Sequence, residues 1–246
     1  MTEALANVVG FIRAIHRFPV KSMRGESLEA ADVEWQGLHA DRRYAFVQAD
    51  DRSVFPYLTA REAPDLLRYT PHFVETGRPG NLRLMVRTPE GLDYGIVSED
   101  LHASIALRYP RPFYLLRLGL TGMPDIAPIS VMTTSTVTSL GKALGMTLDP
   151  LRFRQNILIE TPDGEPYPED QWVGQTLIFG EDEVRVHVSE KDNRCKMITL
   201  DPQTATAEPR VLEEVVRTRG GNLGVYGLPL RLGMLRVGQT VRLMSH

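Results

Sequence analysis

Much of the chain alternates apolar and polar positions with a period of two, the pattern of strands that bury one face. Over 81–87, Leu82, Leu84 and Val86 share a face, and over 183–189 Val184, Val186 and Val188 do the same. Over 43–48, Tyr44, Phe46 and Gln48 alternate with Ala45 and Val47. Further strands are predicted over 8–17, 27–35, 92–97, 113–118, 153–160, 175–179 and 240–244, with Gly and Pro between nearly all of them. Helical signals are few and short. Ser98 can cap a segment through 108 that carries Leu101 and Ile105 on one face. Thr134 or Ser135 precedes Val137, Leu140 and Leu144, and Gly145 supplies the stop. Pro209 suits the first turn of a helix with Leu212, Val215 and Val216, ended by Gly220 and Gly221. The expected class is mainly β with a few short helices (α+β), built around a closed or nearly closed barrel, because closure removes exposed edges. The Pro-rich stretch 109–128 divides the chain into a smaller β-rich N-terminal lobe, 1–120, and a barrel, 121–246.

The composition is that of a globular protein, 42% hydrophobic and 24% charged over 246 residues. Lys and Arg number 28 against 31 Asp and Glu, a net charge of -3, so no global basic field exists to hold nucleic acid or a membrane surface. Any anion site must be local. The single cysteine, Cys195, rules out an intramolecular disulfide, a four-Cys zinc site and a protein-held Fe–S cluster. A reducing cytoplasm is the expected location. The N-terminus reads as no signal peptide, and the longest uncharged stretch, 126–141, contains Pro128 and falls short of a membrane span.

Cys195 has Lys191, Arg194 and Lys196 within four residues. A lone cysteine is commonly a small buried hydrophobe, but a core cysteine belongs in an apolar run. A polar, cationic flank instead suits a thiolate acting as nucleophile or soft metal ligand. Basic residues also recur at loop-like positions: Lys21, Arg42, Arg43, Arg61, Arg152 and Arg154. Singly each reads as a solvated surface charge, and their interest lies in combination with Cys195. His16, His39, His72, His102, His187 and His246 show no zinc-pair spacing. A Cys195–His187 hydrolytic pair is disfavoured because His187 falls on the polar face of a regular strand. The glycine-rich 220–224 follows a helix rather than opening one, and reads as a turn.

Several ordered motifs together resemble the MOSC-domain family in its two-part form, which includes amidoxime-reducing enzymes. They are Phe18-Pro19-Val20-Lys21-Ser22, the segment 37–47 around Asp41-Arg42, Leu58-Thr59-Ala60-Arg61, Arg152-Phe153-Arg154-Gln155-Asn156-Ile157, Arg194-Cys195 followed by Asp201-Pro202, and the stretch 222–241. The resemblance implies a MOSC-type β-barrel preceded by an N-terminal β-rich domain. It implies that Cys195 ligates molybdenum, and that Lys21, Ser22, Arg42, Thr59, Arg61, Arg154, Asn156 and Arg194, with a helix start at Thr134 and Ser135, hold the molybdenum cofactor (Mo-molybdopterin). It also implies two-electron reduction of a small N-hydroxylated substrate, with electrons from a separate donor protein of ferredoxin or flavin reductase type. Asp201 is either a proton donor or a structural carboxylate, aspartate before proline commonly shaping a turn. Gln203-Thr204-Ala205 departs from the Asp-Thr-Gly of many relatives.

Two other functions compete with the molybdenum oxidoreductase. One is a sulfur-transfer or cofactor-carrier protein in which Cys195 holds a persulfide or passes on molybdopterin. The other is a non-catalytic barrel that binds a small molecule, with Cys195 merely structural.

Overall fold

The computed structural model describes residues 7–76, 82–119, 126–181 and 183–244. The first half of the chain forms β1 (Asn7–Arg17), β2 (Glu26–Leu28), β3 (Ala30–Glu34), β4 (Gly37–Leu38), β5 (Tyr44–Gln48), β6 (Tyr57–Leu58), β7 (Thr70–Glu75), β8 (Leu82–Arg87), β9 (Asp93–Gly95), α1 (Glu99–Ala106) and β10 (Phe113–Arg117). The second half forms β11 (Ile129–Thr133), α2 (Thr134–Leu144), β12 (Ile157–Glu160), β13 (Thr176–Phe179), β14 (Val184–Asn193), α3 (Arg210–Arg219), β15 (Asn222–Arg231), β16 (Gly233–Arg236) and β17 (Thr240–Met244). The expected mainly β class with few short helices is what the molecule shows. Asn81, residues 120–125 of the boundary stretch and His246 lie outside the described residues.

Seven strands close a barrel in the order β12-β11-β15-β14-β13-β17-β1, and β1 returns to β12 to complete the ring. All pairs are antiparallel except β11 with β12. The barrel interior is built by the alternation read from the sequence. Val184, Val186 and Val188 point inward with no exposed surface, against Ile12, Ile15, Val131, Leu177 and Phe179. Each such side chain contributes about 1.5–3 kcal/mol by leaving water. A second core, with Val20, Phe46, Leu58, Tyr69 and Ile105, fills the lobe made by the sheets β10-β5-β6 and β7-β8-β9 with α1. The two halves interlock: β1 closes the barrel, and β16 pairs with β3 of the first half. No helix among the described residues is long and apolar enough to cross a membrane.

Local chemistry sets the helix ends. The Ser98 hydroxyl accepts the Leu101 amide at 3.1 Å and starts α1, and the Thr133 hydroxyl accepts the Thr136 amide at 3.2 Å and starts α2. Gly145 and Gly220 end α2 and α3 in the left-handed conformation that glycine adopts without a Cβ clash.

Several expectations need correction. The stretch 27–35 is two strands, β2 and β3, broken at Glu29. Strand β12 begins only at Ile157, since Pro150–Phe153 is a 3-10 turn and Arg154 is left-handed. The glycine-rich 220–224 is a helix stop that runs directly into β15, the ten-residue strand beside β14. α3 buries Val211 and Val215, while Val216 is exposed.

Candidate functional site

A cleft opens between one end of the barrel and the first-half lobe. The segment after β1 brings Lys21 and Ser22, the turn before β5 brings Arg42, and the loops around β6 bring Phe55, Thr59 and Arg61. From the second half come Ser130 of β11, Arg152, Phe153 and Arg154, then Asp192 to Cys195 at the end of β14, and Tyr226 of β15. Its lining holds six cations, Lys21, Arg42, Arg61, Arg152, Arg154 and Arg194, and one acid, Asp192. Four of these cations are ion-paired, Arg42 with Asp41, Arg61 with Glu62, Arg152 with Asp201 and Arg194 with Asp192, which moderates the field, and its sign still favours anions although the chain's net charge is -3.

The backbone is strained where it delivers these groups. Among the described residues six non-glycine positions have φ in the left-handed region, and three of them, Ser22 (66°), Arg42 (47°) and Arg154 (55°), line the cleft. Side chains other than glycine pay for this conformation, so it persists only where surrounding bonds hold it. Those bonds are present. Arg42 donates from Nη2 to the Arg154 carbonyl at 2.8 Å and from Nη1 to both Asn156 Oδ1 (3.3 Å) and Asp41 Oδ2. Asp41, 5% exposed, also accepts the Phe18 amide at 2.6 Å and Asn156 Nδ2 at 3.1 Å. Arg154 Nη1 donates to the Met23 carbonyl at 2.8 Å, and the Phe18 ring lies 4.2 Å from the Arg154 guanidinium and 4.9 Å from that of Arg42. Thr59 donates to Glu62 at 2.6 Å and accepts Arg61 Nε at 3.1 Å.

Cys195 is exposed and sits at the head of the 3-10 turn Lys196–Thr199. The end of β14 turns it into the cleft. Register shifts fall between Val188 and Glu190 and between Lys191 and Asn193; Glu190 is exposed, while Asp192, on the same parity as Val184, Val186 and Val188, is buried. Asp192 then holds Arg194 at 2.9 Å, with both side chains over nine-tenths buried. Arg194 donates further to the Leu223 carbonyl at 2.6 Å and the Phe153 carbonyl at 2.8 Å, leaving its Nη2 with no hydrogen-bond partner. Arg152, 5% exposed, donates to the Thr199 carbonyl at 2.7 Å and to Asp201 at 3.3 Å, and its Nε is likewise unpartnered. Burial pulls the Arg152 guanidinium below its usual range, and Asp201 and Asp149 offset part of that. Buried donors without acceptors are costly, so two in the wall of one cationic cleft point to an anionic occupant.

Of the residues expected from sequence, Lys21, Ser22, Arg42, Thr59, Arg61, Arg154, Arg194 and Cys195 line this cleft together. Asn156 is buried behind it, fixing Arg42, Asp41 and Ser130 rather than facing the opening. Thr134 and Ser135 are not in the lining, and the start of α2 is already occupied by the fully buried Glu169 carboxylate. Glu169 accepts the hydroxyls of Thr133 and Thr136, each at 2.9 Å. Asp201 also lies outside the lining. Its Oδ1 accepts the amides of Thr204 (2.9 Å) and Gln203 (3.0 Å), the arrangement of a turn-forming carboxylate. Partial burial works to raise its carboxyl, but these amide bonds and Arg152 bring it below the ordinary aspartate range, which disfavours a proton donor. His187 pairs across to Thr176 and Leu228 on the barrel wall and is not in the lining. Phe55 and Ser130 belong to no charged or resembling segment that marks them, while Asn193, within the charged run around Cys195, and Tyr226, within the stretch 222–241, carry no role of their own in the sequence reading.

Comparison with known proteins gives the following. A family model described as MOSC domain matches residues 121–242, and one described as MOSC N-terminal beta barrel domain matches residues 9–105. The chain is 29% identical over 127 residues to mitochondrial amidoxime-reducing component 1 of Danio rerio, a match that covers 48% of this chain and 37% of that protein. The crystal structure of the YUAD protein from Bacillus subtilis superposes with a TM-score of 0.54 at 11% identity, covering 98% of this chain and 100% of that one, a likeness of fold alone.

Proposed function

The chain belongs to the MOSC domain family, with that family's N-terminal β-barrel domain ahead of it, and from this premise we propose that it is a molybdenum-cofactor-dependent oxidoreductase that reduces N-hydroxylated compounds. The observation that carries the reading is an exposed thiol, Cys195, on a cleft walled by six cations, two of which keep a buried N–H without an acceptor. A phosphate-bearing ligand with a thiolate-binding metal fits that donor set: guanidinium forks for the phosphate and one soft thiolate ligand for the metal.

Lys21, Arg42, Arg61 and Arg154 would hold the phosphate end, with Ser22 and Thr59 adding hydroxyls. Cys195 would be the protein's ligand to molybdenum. Bound there, the cofactor would supply the two-electron chemistry by which an N–O oxygen is removed. Loss of that oxygen as water consumes two protons and two electrons, and we assign the electrons to a separate donor protein. Asp192 and Asp201 hold Arg194 and Arg152 in place; the proton source is not Asp201 in this reading, because that carboxylate is engaged in its own turn. Asn156 keeps Asp41 and Arg42 aligned behind the cleft wall.

The test is metal analysis of protein from a host that makes the cofactor, beside Cys195→Ala and Arg154→Gly, the latter chosen because glycine keeps the left-handed backbone. Molybdenum approaching one per chain, lost in Cys195→Ala and reduced in Arg154→Gly, is expected, followed by turnover of an amidoxime. The exposure of Cys195 also favours a second reading, sulfur transfer. A persulfide mass on Cys195 with no molybdenum or pterin in any preparation would replace the first reading with that one.

A further inference from the structure

The loop between β5 and β6, residues 49–56, places one aromatic ring in the cleft. Phe55 lines the opening yet remains 40% exposed. An apolar ring set among cations calls for a physical reason, because phenylalanine gains most from full burial. The neighbours supply one. Lys21 Nζ lies 5.2 Å from the Phe55 centroid and the Arg61 guanidinium carbon 5.0 Å from it. Tyr57 meets the same ring edge to face, with centroids 5.1 Å apart and planes at 77°, and Lys21 is 5.6 Å from the Tyr57 ring as well. The loop is braced from below. The Ser53 amide donates to Asp51 Oδ1 at 2.8 Å, the Phe55 amide to Ser53 Oγ at 3.2 Å, and the Gln48 amide to the Pro56 carbonyl at 2.8 Å.

Resting on the reading of the cleft as an anion site, we propose that Phe55 is a positioning residue that presets Lys21 and Arg61 for a phosphate dianion. Two like charges sharing a cleft repel, and each long side chain loses rotamer freedom when it is held. Glu62 already meets Arg61 from another side, its Oε1 3.8 Å from Arg61 Nε, and a further carboxylate between the two cations would compete with the ligand. The negative face of the Phe55 ring attracts both cations through its quadrupole without adding net negative charge to the cleft. The cations are therefore in place before the anion arrives, and less ordering remains to be done on binding.

The test is calorimetric binding of inorganic pyrophosphate to the full chain at fixed ionic strength, across Phe55, its mono-, di- and trifluorinated analogues, Phe55→Tyr and Phe55→Leu. Fluorination drains the ring's negative face with little change of shape, so the series separates electrostatics from packing. Pyrophosphate affinity is expected to fall stepwise with fluorination, reaching about five- to thirtyfold for the trifluoro analogue and Phe55→Leu, with Phe55→Tyr near wild type. A flat series in a wild type that binds pyrophosphate overturns the role of Phe55 and leaves the anion cleft standing. A loss confined to Phe55→Leu, with fluorination silent, also overturns it, since packing alone would then account for the effect. Failure of the wild type to bind pyrophosphate overturns the anion cleft and this inference with it.

Discussion

At residue scale the molecule shows where it carries strain and where it avoids it. Ala205 has φ at 61° in the turn that Asp201 organises, and its amide donates to the Asp201 carbonyl at 2.9 Å. Alanine meets a Cβ clash in that conformation that glycine does not, so Ala205 costs this chain stability. Ala205→Gly is expected to stabilise the protein by about 0.5–1 kcal/mol, the gain trimmed by the freer unfolded chain, and a higher urea midpoint would show it. Gly224 is the opposite case. Its φ is 77°, and a Cβ there would lie 2.9 Å from the Val131 carbonyl oxygen and 3.0 Å from Arg194 Nη2. Gly224→Ala is expected to cost about 2–3 kcal/mol, by strain and by displacing the guanidinium next to Cys195. Equal midpoints for Gly224→Ala and wild type would mean that Arg194 moves freely, against the bonds that hold it.

At element scale the start of α2 is the informative place. Glu169 is fully buried against Thr133 and Thr136, and burial raises its carboxyl above the ordinary glutamate range even though the hydroxyl and amide bonds it accepts work the other way. A carboxyl with a raised folded value contributes fully below its unfolded value, near 4.3, and that contribution is lost as pH climbs through the raised value. The stability of wild type relative to Glu169→Gln should therefore slope downward over that window, whatever other groups such as the buried His16, held below its usual range, add to both proteins. Glu169→Gln keeps an oxygen for the threonine hydroxyls but cannot ionise, so urea titrations of the two proteins at several pH values isolate the Glu169 contribution as their difference. This carboxylate also shows what sequence could and could not tell. The motif around Thr134 revealed the helix but placed its cap late, since Thr133 and not Thr134 or Ser135 caps it, and nothing in the local pattern announces that a residue 33 positions from Thr136 fills the helix end. Strands with one solvated face, such as β14 and β8, were legible because alternation survives in them. β11 was not, since all five of its residues are buried and an all-buried strand has no period to read. β15 was hidden behind the glycines that stop α3 and by Pro229 within it. In the cleft, charged residues near Cys195 were visible by type, whereas Phe55 and Tyr226 acquire meaning only from their neighbours.

At the scale of the whole molecule, the first strand and the last share a sheet. β1 pairs with β12 through Phe11 to Ile15 and with β17 through Asn7 to Phe11, so the barrel made by the second half of the chain is closed by residues from the very start of the described structure. The approach is tight at Gly10, where a Cβ would sit 2.2 Å from the Glu160 carbonyl oxygen. The cleft depends on the same interlock, because Lys21 and Ser22 follow directly from β1 and meet Arg154 and Cys195 only once the ring is shut. Without β1 the strands β12 and β17 become open edges and the interior loses Ile12 and Ile15, both fully buried. A fragment of residues 121–246 should therefore lack a cooperative unfolding transition and the near-ultraviolet dichroism of a packed core. Supplying residues 1–120 in trans should restore both, together with whatever pyrophosphate affinity the intact chain has. A fragment that unfolds cooperatively alone would show that β1 is an accessory to a self-sufficient barrel; restoration in trans would show that barrel and anion site form in one step, across the two halves.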